Sequence, residues 1–275
     1  MFDFIYYPIS GILWLWHYAF EQAAGLSSGP AWALSIVFLV FTIRALLYRP
    51  VAAQMRMSLK MQELRPQMKA LQKRYGKDRQ RYMEEVQKLQ KEHGLNPLMG
   101  CVPVVVQAIA FLGIFHVLRS FNRTGSGFGQ IGMTPELNAT TPNYFFSVDQ
   151  VHSFLSAHVF GAPLGVSAFG PLSAPDAFAV FGLTPAASVV AAVALPLGLA
   201  IAVMTHVNAR ASIARQSPEL AASPQTAIMN RIMLWVFPAG ALIGAPFMPV
   251  AILIYLLSNN IWTYGQQHVV YRHRR

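Results

Sequence analysis

The sequence predicts an all-α integral membrane protein: five transmembrane helices, N-terminus outside and C-terminus inside, with a cytoplasmic antiparallel helical hairpin and an N-terminal interfacial amphipathic helix. Three observations carry this. First, 54% of the 275 residues are hydrophobic and only 12% are charged, about half the charged fraction usual in soluble domains, and mean hydropathy is +0.39. Second, several apolar runs are long enough to cross a hydrocarbon core of about 30 Å. Third, the Lys and Arg residues behind the net charge of +10 cluster between those runs. That makes them a topology signal before they are a nucleic-acid signal, and no sequence-specific nucleic acid is expected.

Residues 1–30 are rich in aromatics, which favour the membrane–water boundary. Ile9 to Ala24, carrying His17, Glu21 and Gln22, read as an amphipathic helix lying on the membrane; a sixth span is the alternative. The opening MFDFIYYPISG has no positive region of the kind that precedes a cleaved signal. Ser27-Ser28-Gly29-Pro30 then breaks the chain.

The first span, 31–48, is AWALSIVFLVFTIRALLY. Its one charge, Arg44, lies about 20 Å from the outer end at 1.5 Å per residue. A cation at the bilayer centre costs about 2.5–3.5 kcal/mol on insertion scales. Either Arg44 snorkels to the cytoplasmic boundary, or it faces water or a visiting anion, because no predicted span contains an acid that could pair with it.

Residues 49–97 hold twelve Lys/Arg against five Asp/Glu. Leu64, Met68, Leu71 and Tyr75 are spaced 4, 3, 4, and so are Tyr82, Val86, Leu89 and His93. Each set makes one helical stripe, and Gly76-Lys77-Asp78 separates them, which predicts the hairpin. Pro66 should kink or restart its first helix. Asn96-Pro97 opens the next element. The second span is 98–118, with Gln107 and His116 as its polar members. Residues 119–184 are poor in charge and too short of periodic apolar residues to bury a core of their own. Within them, Tyr144 to Phe160 alternates aromatic and polar residues and is expected to lie on the membrane. The third span is 185–207, and Pro196 should kink it. A polar loop follows at 208–231, then spans at 232–245 and 250–264, and a basic tail at 265–275. Placing the hairpin, this loop and the tail inside accounts for 18 of the 21 Lys/Arg, which fixes the expected orientation.

Polar span residues include Thr42, Gln107, His116, Thr205, His206, Ser258, Asn259, Asn260 and Gln266. Interhelical hydrogen bonding is the plain reading of each; the alternative is that several line a water-filled cavity with Arg44. The chain has no phosphate loop, nucleophile elbow or zinc-protease motif, and its single cysteine permits no internal disulfide. No cofactor, metal or enzymatic reaction is expected.

The order of these features resembles the YidC family of membrane protein insertases, relatives of the mitochondrial and thylakoid insertases, in its actinobacterial-like form without the large outer domain. An Arg-bearing span and a basic hairpin are followed by Asn96-Pro97, then Gly100-Cys101-Val102-Pro103 and Gln107; Ser258-Asn259 and Gln266-Gln267 come near the end. Ala108 stands where the family often has Pro, and Phe247-Met248-Pro249-Val250-Ala251 departs from its usual F-P-x-G-L. The resemblance implies a multi-pass protein of the prokaryotic cytoplasmic membrane. It implies a positively charged groove, open to the cytoplasm and to lipid, around Arg44 and Tyr255. The groove is expected to include the polar span residues Thr42, Gln107 and Asn259, and Thr205 as the one candidate for the family's polar groove residues of the third span, which otherwise have no clear counterpart here. It also implies a hairpin that recruits substrates through residues such as Lys69, Lys73, Arg74, Lys77, Arg79 and Arg81. The implied partners are nascent membrane proteins and lipids, with the Sec translocon and ribosome as further candidates. Two other readings stay open on the residues alone. One is an anion or small-solute transporter using Arg44, although no internal repeat is found. The other is a scaffold that docks a partner through the hairpin.

Overall fold

A computed structural model describes residues 2–95, 97–124, 132–170, 178, 182, 184–221 and 223–272. Asn96 and the last three residues of the basic tail lie outside the described residues. The chain is mostly helical. Among the described residues, three helices are long and apolar enough to cross a membrane: α2 (Ser28–Leu46), α9 (Ala187–Ile213) and α10 (Pro224–Phe247).

Helix α1 (Asp3–Tyr18) ends in a wider π-type turn at Ala19–Ala23, and Gly25 follows with φ +66°. It lies against α2 and α6 (Pro97–Arg119). Ile9, Leu13 and His17 form its buried face, while Phe4 and Leu15 stay exposed. This is the one-sided burial of an amphipathic helix.

α2 passes into α3 (Tyr48–Glu63) through Leu47 alone, with the Val51 N–H bonded to the Leu47 carbonyl at 3.2 Å. Pro50 falls in the first turn of α3, where its missing N–H is harmless. A second break at Leu64 precedes α4 (Arg65–Tyr75), again with Pro66 in the first turn. After Gly76 and Lys77, the Asp78 carboxylate caps α5 (Arg79–Glu92), accepting from the Arg81 N–H at 3.1 Å. α4 and α5 pack side by side as a hairpin. Leu64 and Leu95 are buried near its base, and Gln62 Oε1 accepts from the Ser217 N–H at 3.2 Å.

In the segment after α6, Tyr144–Phe160 turns a packed face to the bundle. Its α8 (Val148–Ser156), opened by a Ser147/Gln150 capping box, turns Val151, Phe154 and Leu155 inward with Phe146, each at most 1% exposed. They close over Trp32 at the start of α2. Ring centroids of Phe121, Phe146 and Phe154 lie 5.1–5.5 Å from Trp32, and Trp32 Nε1 donates to Ser153 Oγ at 3.0 Å. Burial of these large rings outweighs exposure because the one polar atom of Trp32 is satisfied. Two two-residue strands, β1 (His158–Val159) and β2 (Ala162–Pro163), pair antiparallel, a small departure from a purely helical chain. Gly29 makes room for them: a Cβ there would stand 2.1 Å from the His158 carbonyl oxygen. The loop after β2 caps α11 (Val250–Arg272). Carbonyls of Val166 and Leu164 accept from the N–H groups of Val250 (3.2 Å) and Ala251 (2.9 Å), two of the donors left orphaned at any helix start. α7 (Pro135–Thr140) packs on α8, and Arg123 ties this cap together through Asn138 Oδ1 and the Thr141 carbonyl.

α9 continues through Pro196 as one helix. α10 begins at Pro224, with Ser223 as its cap, so it reaches well before its apolar run at 232. It carries a π segment at Ile232–Val236. The cause is local: Pro238 has no N–H for the carbonyl four residues back. That carbonyl, of Leu234, instead meets His206 Nδ1 of α9 at 2.8 Å, so His206 carries its proton on Nδ1 and serves helix packing. The outward face of α10 is strongly apolar, with Trp235 65% and Ile243 71% exposed. Such a surface needs a lipid or protein neighbour.

Candidate functional site

Arg44 sits in the last turn of α2 and is only partly exposed. Its Nε and Nη2 both donate to Asn259 Oδ1, the Nε bond at 2.9 Å. Nη1 donates to Gln107 Oε1 of α6 at 2.9 Å. A longer contact of 3.4 Å runs from Nη2 to Thr263 Oγ1. One cation thus joins three helices. Asn259 and Thr263 are four residues apart on α11 and share a face. The Thr263 hydroxyl gives its proton to the Asn259 carbonyl at 2.8 Å, which leaves its oxygen free to accept from Arg44. All the acceptors are neutral amides and a hydroxyl. The guanidinium is therefore hydrogen-bonded without its charge being cancelled, a state that favours exchange of a neutral acceptor for an anionic one.

The other expected groove residues divide. Tyr255 lies one turn before Asn259, toward the cap, and is 1% exposed. Its ring meets Phe111 at 5.4 Å and its hydroxyl stands 3.5 Å from the Phe111 carbonyl. It belongs to the apolar floor between the Arg44 network and the cap. Thr42 belongs to the α1–α2 seam: its hydroxyl donates to the Phe38 carbonyl at 2.8 Å and accepts from Trp16 Nε1 at 3.0 Å. Thr205 donates to Asn260 Oδ1 at 3.3 Å. Asn208 donates to the same oxygen and to the Asn260 carbonyl, so these three bind α9 to α11. Asn259 and Asn260, adjacent on a helix, point about 100° apart, which separates the Thr205 cluster from the Arg44 network.

Sequence reasoning missed Thr263, although its i+4 spacing from Asn259 was readable. It also left Asn208 in a loop, because the apolar run ends before it. Of the remaining polar residues, Ser258 returns its proton to the Ile254 carbonyl. Gln266 accepts from Trp262 Nε1, and His116 Nε2 stands 2.8 Å from the Tyr144 hydroxyl.

Lys69, Lys73, Arg74, Lys77, Arg79 and Arg81 are all exposed on α4, the turn and the start of α5. At the tip the guanidinium groups of Arg74 and Arg81 lie over the Tyr75 ring, at 5.4 and 5.8 Å from its centroid. The α2–α3 connection puts this basic arm on the side of the bundle where Arg44 lies.

The family model described as 60Kd inner membrane protein matches residues 24–275. The chain is 54% identical over 269 residues to the membrane protein insertase YidC of Mycolicibacterium paratuberculosis, covering 98% of this chain and 75% of that protein. The same identity holds for the insertase of Mycobacterium tuberculosis H37Rv, of which it covers 72%. With the insertase of Streptomyces avermitilis it shares 32% over 279 residues, covering 99% of this chain and 58% of that one. Similarity of this extent, over a helical chain with membrane-length apolar helices and an arginine shared among three of its helices, leads to one conclusion: this chain belongs to the YidC family of membrane protein insertases.

Proposed function

We propose that this protein inserts nascent membrane proteins into a bacterial cytoplasmic membrane, with Arg44 as a transient counter-charge for their polar or acidic segments. The observation that carries the mechanism is that, among the described residues, Arg44 is held by neutral acceptors alone. An entering carboxylate replaces the Gln107 or Asn259 oxygen and turns a bond from a cation to a neutral amide into one charged at both ends, which is the stronger of the two. That offsets part of the penalty of carrying a polar segment past lipid. Once its own apolar span leaves sideways, burial of apolar surface at about 25 cal/mol per Å² drives the step to completion. Nothing covalent is formed and no nucleotide is consumed by this chain.

In this reading α2, α6, α9, α10 and α11 are five spans, with the N-terminus outside and the C-terminus inside, and α1 is interfacial. The hairpin then projects into the cytoplasm, where its six named cations receive substrates, alone or delivered by the ribosome or Sec translocon. Gln107, Asn259 and Thr263 hold Arg44 in place, Tyr255 floors the site, and Thr42 and Thr205 hold the flanking helices. The relatives carry insertase names, and no observation favours the solute-transporter reading.

The test is insertion of a single-span substrate with an acidic N-terminal tail into proteoliposomes. Arg44→Glu should lower insertion about tenfold or more, on a loss of one charge-assisted contact, while a substrate with an uncharged tail is affected less. Undiminished insertion of the acidic substrate by a folded Arg44→Glu protein overturns the counter-charge mechanism.

A further inference from the structure

The cap over Trp32 leaves one residue conspicuously unburied. Phe160, at the tip of the β1–β2 hairpin, is 90% exposed. It also has φ +52°, a left-handed conformation that is a genuine outlier for a bulky residue. The glycine beside it, Gly161 (φ +82°), takes the other left-handed position of the turn at no steric penalty. A chain that spends backbone strain to present a bare aromatic ring points to a function for that ring.

The position of the turn indicates its partner. A Cβ at Gly161 would stand 3.4 Å from Val189 Cγ1, and Val189 lies in the first turn of α9. Val189 begins an exposed apolar stripe on α9 that continues through Leu195, Leu199 and Val203. On a membrane-length helix that stripe faces lipid, so Phe160 stands at the head of a lipid-facing surface, at the level where aromatic residues concentrate in membranes. Two further exposed aromatic pairs lie at this end of the bundle. Phe145 packs on Tyr7 of α1 at 5.9 Å, and Phe169 packs on Phe247 at the end of α10 at 6.0 Å. From Tyr144 to Gly170 the only Asp, Glu, Lys or Arg is Asp149, so this part of the cap lacks the charged surface of a water-facing domain, in contrast to α7 with its exposed Glu136.

We infer that the cap is seated in the lipid leaflet at its own end of the bundle, with Phe160 inserted among the upper acyl chains as its anchor. The partner is the bilayer itself, not a soluble protein. This does not depend on Arg44 or on which side of the membrane the cap faces.

The test uses the full chain with Cys101→Ser and Phe160→Cys, carrying a nitroxide and reconstituted in phosphatidylcholine/phosphatidylglycerol vesicles. Glu136→Cys, on exposed α7, is the control. Unlabelled wild-type protein is irradiated in parallel in vesicles containing a phospholipid with a diazirine high in its acyl chain. At position 160, collisions with oxygen should exceed those with a water-soluble nickel chelate, with the reverse at position 136. The wild-type peptide spanning 158–161 should carry a lipid adduct. Three results overturn the inference: nickel access at 160 equal to that at 136; a nitroxide shielded from both reagents, which indicates a protein contact; or a lipid-exposed nitroxide without an adduct on the wild-type peptide.

Discussion

The two ends of α2 solve opposite problems. At its start, Trp32 is wholly enclosed by Phe121, Phe146 and Phe154, with its one polar atom bonded to Ser153. At its other end, Arg44 is partly exposed and bonded only to neutral oxygens. The first end is closed: the polar atom of Trp32 is paired, and a visiting chain meets only packed rings there. The second is stable but exchangeable, because a better acceptor than an amide exists in any substrate carboxylate. One helix thus carries a sealed end that fixes the fold and an adaptable end that, in the proposed function, meets the substrate. Tyr255 and Phe111 form the boundary between them.

The largest effect tests the sealed end. Trp32→Ala should cost about 3–5 kcal/mol, the usual range for deleting a large buried aromatic. It should also loosen α8 from α2, since the Trp32–Ser153 bond and the ring packing go while the Ser28–Ser153 bonds remain. Thermal unfolding in detergent reads the first effect, and protease cleavage near Ser153 reads the second. If Trp32→Ala is no less stable than wild type, the cap is not what fixes this end.

The next effect tests the exchangeable end. Asn259→Asp keeps the side-chain shape but gives Arg44 an internal carboxylate. The protein should fold at least as well as wild type, while a substrate carboxylate now competes with an anion instead of an amide. One charge-assisted bond of about 1.5–3 kcal/mol corresponds to roughly tenfold to a hundredfold weaker engagement of acidic substrates. Insertion of an acidic-tailed substrate should drop by a similar factor. Unchanged insertion would mean that the Asn259 oxygen is not the acceptor being exchanged.

These two ends were not equally legible in the sequence. The apolar runs, the hairpin stripes and the lone Arg44 are local patterns, and local patterns survive translation into structure because they rest on helical spacing. Gln107 and Asn259 were readable as Arg44 partners only through the family's motifs, since sequence spacing says nothing about which helices adjoin. The buried face of the cap was not legible, for a definite reason. Phe and Tyr in a charge-poor segment serve equally for a membrane surface and for a buried core, and only the partner decides. That partner is Trp32, more than a hundred residues away. Thr42 and Thr205 show a similar limit: a span's polar residue looks the same in sequence whether it faces a groove or a neighbouring helix, and here each has a hydrogen bond to a neighbouring helix.

The smallest expected effect lies at the sealed end, at His17. Its ring stacks on Trp32 at 3.6 Å. Its Nε2 stands 3.1 Å from a Glu21 carboxylate oxygen, but without the alignment of a hydrogen bond. Burial pushes the His17 pKa below its ordinary value of 6.5, and Glu21 opposes that shift without reversing it. The folded protein therefore keeps the ring neutral at a pH where the unfolded chain has already taken up a proton. With the folded pKa depressed, this contribution to stability is full above about 6.5, the unfolded value. It declines as pH falls from there to the folded pKa, and is constant below that. His17→Phe preserves the stack on Trp32 and should flatten the decline. Glu21→Gln removes the opposing charge and should deepen it. Unfolding midpoints of the three proteins between pH 7.5 and 5 decide the matter. A wild-type decline that persists unchanged in His17→Phe would place the titrating group elsewhere.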